Sequence, residues 1–213
     1  MSPLLPLAAA FALAYLPLAA RPVSKMRSVT KTLAVALLAL AAVSVSVSGL
    51  LAAALALCAL GDWLLSRDGD GAFMAGIGAF AAGHLAYVAL FVTHPLADSA
   101  RLLQAPQIWF VAGFALLGLA MAALLAPRAG ALKGAVLGYI PVILGMGVAV
   151  LVLPGQGALG GALPAALAFV VSDLVLAFET FVLGKDHPLR RITPYLIWPL
   201  YWGAQAGFLM AFA

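Results

Sequence analysis

The sequence predicts an all-α fold: a polytopic integral membrane bundle of eight transmembrane helices, one domain over residues 1–213, with both termini on the non-cytoplasmic side. Three observations carry this. Hydrophobic residues make up 66% of the 213 and charged residues 8%, against about 45–50% and about 25% in an ordinary soluble domain; mean hydropathy is +1.16. The long apolar stretches show none of the apolar–polar alternation of a barrel strand in lipid. Polar and basic clusters then divide the chain into lengths close to the roughly 20 residues a membrane helix needs. A soluble enzyme or nucleic-acid binder of this size has nowhere to hide so much apolar surface. Disorder is excluded too, since it requires low hydrophobicity and high charge.

The helices are expected at about 4–20, 30–45, 49–66, 72–92, 108–126, 132–153, 163–183 and 193–212. The first is apolar from its start, with Arg21, Lys25 and Arg27 behind it. That order suits a retained span with an exported N-terminus rather than a cleaved leader. From Thr32 to Leu65 the only charge is Asp62, too long for one span. The run Ser44-Val45-Ser46-Val47-Ser48-Gly49, poor in helix formers, supplies the turn between helices two and three. His94-Pro95, Asp98-Ser99 and Arg101 separate helices four and five, and Pro154-Gly155-Gln156-Gly157 separates six and seven.

Charge bias supports eight spans. Arg21, Lys25, Arg27, Lys31, Arg67, Arg128, Lys133, Lys185, Arg190 and Arg191 all flank the connections after helices one, three, five and seven; of the 11 basic residues only Arg101 falls on the other side. Basic loops stay cytoplasmic. The GxxxG pairs Gly134/Gly138, Gly157/Gly161 and Gly203/Gly207 are expected to pack helices within the bundle. The lone Cys58 makes neither an internal disulfide nor a CxxC metal set and is expected as a buried small hydrophobe.

Charges inside a bilayer are expensive and invite a functional reading. Away from the loops there remain Asp62, His84, Asp173 and Glu179, with Tyr87, Tyr139, Ser172, Tyr201 and Gln205 as neutral companions. Asp62 is expected about one turn inside the cytoplasmic face, with contact to interfacial water or pairing to Arg67 as its structural alternative. Asp173 is expected about three turns deep, and Glu179 at the interface or against Arg190. A polar cavity opening to the cytoplasm is expected to gather these groups. His94 and His187 belong to loops. Trp63, Trp109, Trp198 and Trp202 are expected as interface anchors or packing.

These residues and their surroundings resemble the lysoplasmalogenase (YhhN-like) family of membrane proteins. The likeness rests on Gly61-Asp62-Trp63-Leu64-Leu65, on GIGAFAAGHLAYVALF from Gly76 to Phe91, on Phe169-Val170-Val171-Ser172-Asp173-Leu174, on Tyr201 with Gln205, on Tyr139, and on Lys31, which is followed here by Thr32 where the family often has proline. The resemblance implies an eight-helix enzyme of the cell (inner) membrane. It implies hydrolysis of the vinyl ether bond of a lysoplasmalogen, a lysophospholipid, to a fatty aldehyde and glycerophospho-ethanolamine or -choline.

Such hydrolysis starts with proton transfer to carbon and passes through an oxocarbenium ion. Glycosidases meet a similar ion with two carboxyl groups in unlike environments. Asp173, the deeper residue, is expected as the acid and Asp62 as the base and charge stabiliser. His84, Tyr87, Tyr139, Ser172, Tyr201 and Gln205 are expected to orient substrate and water, and Lys31 to meet the lipid phosphate. Catalytic zinc takes several ligands and the spans offer one histidine, His84, so no metal and no other cofactor is expected. The partners are the lysophospholipid and membrane lipids, not nucleic acid. Two rival readings are a proton-coupled carrier, which also uses intramembrane carboxylates, and a scaffold without chemistry.

Overall fold

The computed structural model describes residues 2–213. Among them there are eight α-helices and no strand: α1 Leu4–Tyr15, α2 Lys25–Ser44, α3 Gly49–Leu65, α4 Asp70–Val92, α5 Gln107–Leu125, α6 Lys133–Ala149, α7 Ala162–Phe181 and α8 Thr193–Phe212. Short 3-10 turns extend α1 (Leu16–Leu18) and α6 (Val150–Val152).

One boundary differs from the sequence expectation and bears on the site. Helix α2 starts at Lys25, five residues before the expected position. The Ser24 side chain accepts a hydrogen bond from the Arg27 amide at 3.2 Å, and Lys, Met and Arg are good helix formers behind such a cap. The added turn puts Arg27 and Lys31 on one helix face, four residues apart. The turn between α2 and α3 forms where the serine run places it. Ser46 takes φ +52°, and Ser48 caps α3 by accepting from Leu50 N at 3.3 Å.

Contacts fix the direction of the helices. Ser2 and Ser44 hydroxyls meet at 2.8 Å, so the start of α1 lies beside the end of α2. Lys31 near the start of α2 meets Asp62 near the end of α3. Along the α3–α4 seam Gly61 faces Phe80, Gly76 faces Leu65 and Gly83 faces Cys58, an antiparallel register. The same reading holds for α5 and α6, where Gly118 faces Leu144 and Gly147 faces Phe114, and for α7 and α8, where Gly207 faces Ala165. The Asp98 amide donates to Val152 O at 3.0 Å, so α4 and α6 finish at the same end. The basic residues from Arg21 to Arg191 therefore gather at one end of the bundle, and Arg101 stands at the other.

The expected GxxxG glycines do not pack as pairs: of the six only Gly207, against Ala165, and Gly161, 3.9 Å from Ala211, meet a neighbouring helix. A Cβ built on Gly134, Gly138, Gly157 or Gly203 meets nothing within 4 Å. The tight contacts belong to Gly61, Gly76, Gly83, Gly118, Gly147 and Gly207. Spacing alone does not say which face of a helix meets a neighbour.

Among the described residues, five helical segments are long and apolar enough to cross a membrane: Lys25–Ser44, Asp70–Val92, Gln107–Leu125, Gly130–Val152 and Ala158–Phe181. Leu4–Leu18 and Gly49–Leu65 are apolar but shorter. Helix α8 is 20 residues long, but Thr193, Tyr195, Tyr201, Gln205 and two prolines lower its hydropathy. The outer surface is apolar: Trp109, Leu116 and Leu119 on α5 stand about 70% exposed (72%, 68% and 71%). A soluble monomer rarely displays such a face. Inside, Leu38, Leu51, Leu55, Tyr87, Phe91, Phe169 and Phe208 are fully buried.

Candidate active site

Two carboxylates from separate helices open into one cavity of about 340 Å³, which both Asp62 and Asp173 line. Asp62 sits three residues before the end of α3 and is 1% exposed. Its Oδ1 lies 2.7 Å from Lys31 Nζ, and its Oδ2 accepts from the Tyr201 hydroxyl at 2.7 Å. Lys31 is held over the Tyr201 ring as well, 5.7 Å from its centroid. Gly61 permits this corner. A Cβ there would stand 2.6 Å from the Phe80 ring, and Phe80 lines the same cavity.

Asp173 has a different environment. It lies eight residues before the end of α7, about 12 Å along the helix. That is about two turns from the basic end rather than three, because α7 stops at Phe181, before Lys185. Its Oδ2 accepts from the Tyr139 hydroxyl at 2.7 Å and its Oδ1 from Ser172 Oγ at 3.3 Å. The one Ser172 hydroxyl proton is shared between Asp173 and Phe169 O, which lies closer at 2.9 Å. No cation contacts Asp173 among the described residues. Its partners are hydroxyls, which donate or accept as the carboxyl group requires.

Lys31, Asp62, Tyr139, Ser172, Asp173 and Tyr201 therefore converge on one space. The rest of its wall is chiefly apolar, including Leu65, Ile77, Val136, Ile143, Leu144 and Phe181. Lys31 is spent on Asp62, not left free for a lipid phosphate. Arg67 does not pair with Asp62 as the alternative reading had it: its guanidinium lies 3.9 Å from the Trp63 ring centroid.

Three expected site residues stand behind the cavity and do not line it. His84 is fully buried. Its Nδ1 is 2.7 Å from Phe80 O and 3.5 Å from the Tyr139 hydroxyl, while its ring meets Phe169 edge-on at 4.5 Å. Tyr87 donates its hydroxyl to Gln205 Oε1, joining α4 to α8. Packing these groups inward follows from the helix faces: His84 and Tyr87 share one face of α4, which is turned into the bundle core. Trp198 and Trp202 face inward too, donating to Ala12 O at 2.9 Å and Ala34 O at 3.0 Å, whereas Trp109 faces outward.

Other residues of the wall were not singled out from sequence: Tyr15, Arg27 and Phe80. Arg27 was legible in principle, since Ser24 followed by Lys-Met-Arg is a helix start. Glu179 lines the cavity as well. Its carboxylate accepts from Thr193 Oγ1, and Arg190 donates to its backbone carbonyl instead of its side chain. Among the described residues no three His, Cys, Asp or Glu side chains are grouped as a metal ion would need.

A model of the YhhN family matches residues 26–212. The chain belongs to the YhhN family. That family includes lysoplasmalogenases. No curated protein and no solved structure matches the chain. The YhhN match begins inside α2 and leaves α1 outside it, yet Tyr15 of α1 closes part of the cavity wall.

Proposed function

We propose that this YhhN-family chain is a membrane hydrolase that cleaves the vinyl ether bond of lysoplasmalogens. The observation that carries the reading is the pair of unlike carboxyl groups on one largely apolar cavity. Asp62 is ion-paired with Lys31, and Asp173 is held only by hydroxyls.

The chemistry follows from that difference. Asp173, with no cation beside it, gives its proton to the alkenyl carbon remote from the ether oxygen. The electron pair of the double bond takes that proton, and the positive charge spreads over the neighbouring carbon and the ether oxygen. Asp62, kept as a carboxylate by the ammonium of Lys31, offsets this charge and accepts a proton from the attacking water. The hemiacetal so formed returns its hydroxyl proton to Asp173. Its glycerol oxygen departs with the proton held on Asp62. One water is consumed, and an aldehyde and a glycerol hydroxyl are released. Tyr139 and Ser172 orient the acid, Tyr201 the base, and the apolar wall accepts the alkenyl chain.

All eight helices cross the membrane in this reading, including α1, α3 and α8. The basic end lies in the cytoplasm in this reading, which the concentration of Lys and Arg there supports. The cavity opens toward that end, since Arg27, Lys31, Asp62, Leu65, Glu179 and Phe181 all lie near helix termini on it.

The test is aldehyde release from a lysoplasmenyl-ethanolamine by the protein purified in detergent. Wild type is expected to release it. Asp62→Asn and Asp173→Asn are expected to lose about 10²–10⁴-fold, the usual contribution of a positioned acid or base. No release by a folded wild type overturns the reading. A liposome flux assay then asks for the carrier instead.

A further inference from the structure

Two charged side chains of the cavity take no part in this chemistry. Arg27 on α2 and Glu179 in the last turn of α7 both line it, and both are half-buried. The one ion pair among the described residues is Lys31 with Asp62. Arg27 therefore has no acidic partner and Glu179 no basic one. Arg27 Nη2 donates to Ala19 O at 3.1 Å, its guanidinium carbon lies 6.0 Å from the Tyr15 ring centroid, and its Nε is buried without a partner. The Glu179 carboxylate has the Thr193 hydroxyl, and Arg190 is bound to the backbone carbonyl of Glu179. A partly buried charge with no counter-ion is desolvated at a cost that neutral hydrogen bonds offset only in part. Two of opposite sign on one cavity wall match a ligand carrying both signs.

Their positions suit such a ligand. Arg27 lies one turn from Lys31 toward the start of α2, about 6 Å along the axis, and Glu179 lies six residues from Asp173 toward the end of α7, about 9 Å. Both displacements run toward the basic end. In a lysoplasmalogen the ether oxygen and the phosphorus are five bonds apart, roughly 6 Å when extended, and the ammonium lies beyond. With the ether at the aspartates, the phosphate falls level with Arg27 and the ammonium reaches Glu179.

We propose that Arg27 and Glu179 form a headgroup subsite selective for zwitterionic lysophospholipids. The guanidinium takes the phosphate, as its planar fork favours, and the carboxylate takes the ammonium of ethanolamine or choline. The proposal rests on the reading that the cavity holds a lysophospholipid. It adds that anionic headgroups are discriminated against, because they bring a negative charge to Glu179 and no cation.

Binding of saturated 1-O-alkyl lysophospholipids tests it. These lack the double bond, so occupancy is read apart from cleavage. Four headgroups on one chain length are compared by native mass spectrometry in a maltoside detergent: phosphoethanolamine, phosphocholine, phosphoglycerol and the phosphate monoester. Wild type is expected to prefer the zwitterionic pair about tenfold, the scale of one charge-assisted contact. Glu179→Gln is expected to remove most of that preference, and Glu179→Lys to reverse it. Arg27→Gln is expected to weaken all four about tenfold, with Arg27→Lys retaining part. Equal wild-type binding of all four, or full preference retained by a folded Glu179→Gln protein, overturns the subsite. Selective binding without cleavage of a lysoplasmalogen overturns the hydrolase reading and leaves the subsite standing.

Discussion

Lys31 reaches back from the second turn of α2 to Asp62, its Nζ 2.7 Å from Oδ1. The aspartate is buried and the lysine side chain is 26% exposed. Breaking a buried pair from one side leaves an uncompensated charge, at a cost of about 3–5 kcal/mol, whereas replacing both partners with apolar groups is often neutral. Lys31→Met is therefore expected to lower the thermal unfolding midpoint in detergent sharply. Lys31→Met with Asp62→Leu is expected to recover most of the midpoint while remaining unable to release aldehyde. A double variant as unstable as the single one would mean the two residues do not share a charge balance.

Asp173 is expected to behave differently from Asp62. Its oxygens meet only the hydroxyls of Tyr139 and Ser172, and an amide in place of the carboxyl group still finds partners there. Asp173→Asn should shift stability by less than about 1 kcal/mol, the scale of one neutral hydrogen bond, while turnover falls about 10²–10⁴-fold. Tyr139→Phe should keep the carboxyl group but loosen it, reducing turnover without abolishing it. Unfolding midpoints and aldehyde release measured on the same preparations separate the two aspartates.

The helices were readable because lipid requires long apolar runs and polar residues mark their ends. The serine run at 44–48 shows this most clearly, since its turn forms where expected, with Ser48 also capping α3. The start of α2 was harder. Lys25 and Arg27 read as loop charge, whereas the cap at Ser24 opens the helix at Lys25. The pairing of Lys31 with Asp62 was hidden for a related reason, because a lysine at the expected edge of a helix has no fixed face. His84, Tyr87 and Gln205 mark the limit in another direction. Their burial is a matter of helix rotation, and in a helix that is apolar all round the hydrophobic pattern does not indicate which side is innermost.

Orientation in the membrane can be read with single cysteines, because the one native thiol, Cys58, is buried and gives no background. Lys185 and Ser99 are both exposed and lie at opposite ends of the bundle. With the basic end in the cytoplasm, Ser99→Cys should react with a membrane-impermeant maleimide on intact cells. Lys185→Cys should react only after permeabilisation. The reverse pattern would place the cavity mouth on the outer side.

The α3–α4 seam is set by glycines, and its tightness carries through to the site because Asp62 and Phe80 lie on its two sides. A Cβ on Gly83 would stand 2.9 Å from Cys58 Sγ and 3.2 Å from the backbone oxygen of Ala54. A backbone oxygen cannot rotate away, so the helices must part by a few tenths of an ångström. Overpacking of this kind costs about 1–3 kcal/mol. Gly78 lies on the same helix with nothing within 4 Å. Alanine there should be neutral or stabilising by up to about 1 kcal/mol, since it removes a helix-interior glycine. Gly83→Ala is therefore expected to unfold at lower temperature than wild type and Gly78→Ala at the same temperature or higher. The first variant should also lose turnover, because the parted seam carries Asp62 away from Lys31 and Tyr201. Equal midpoints for the two variants would show that α3 and α4 are not in close contact at Gly83.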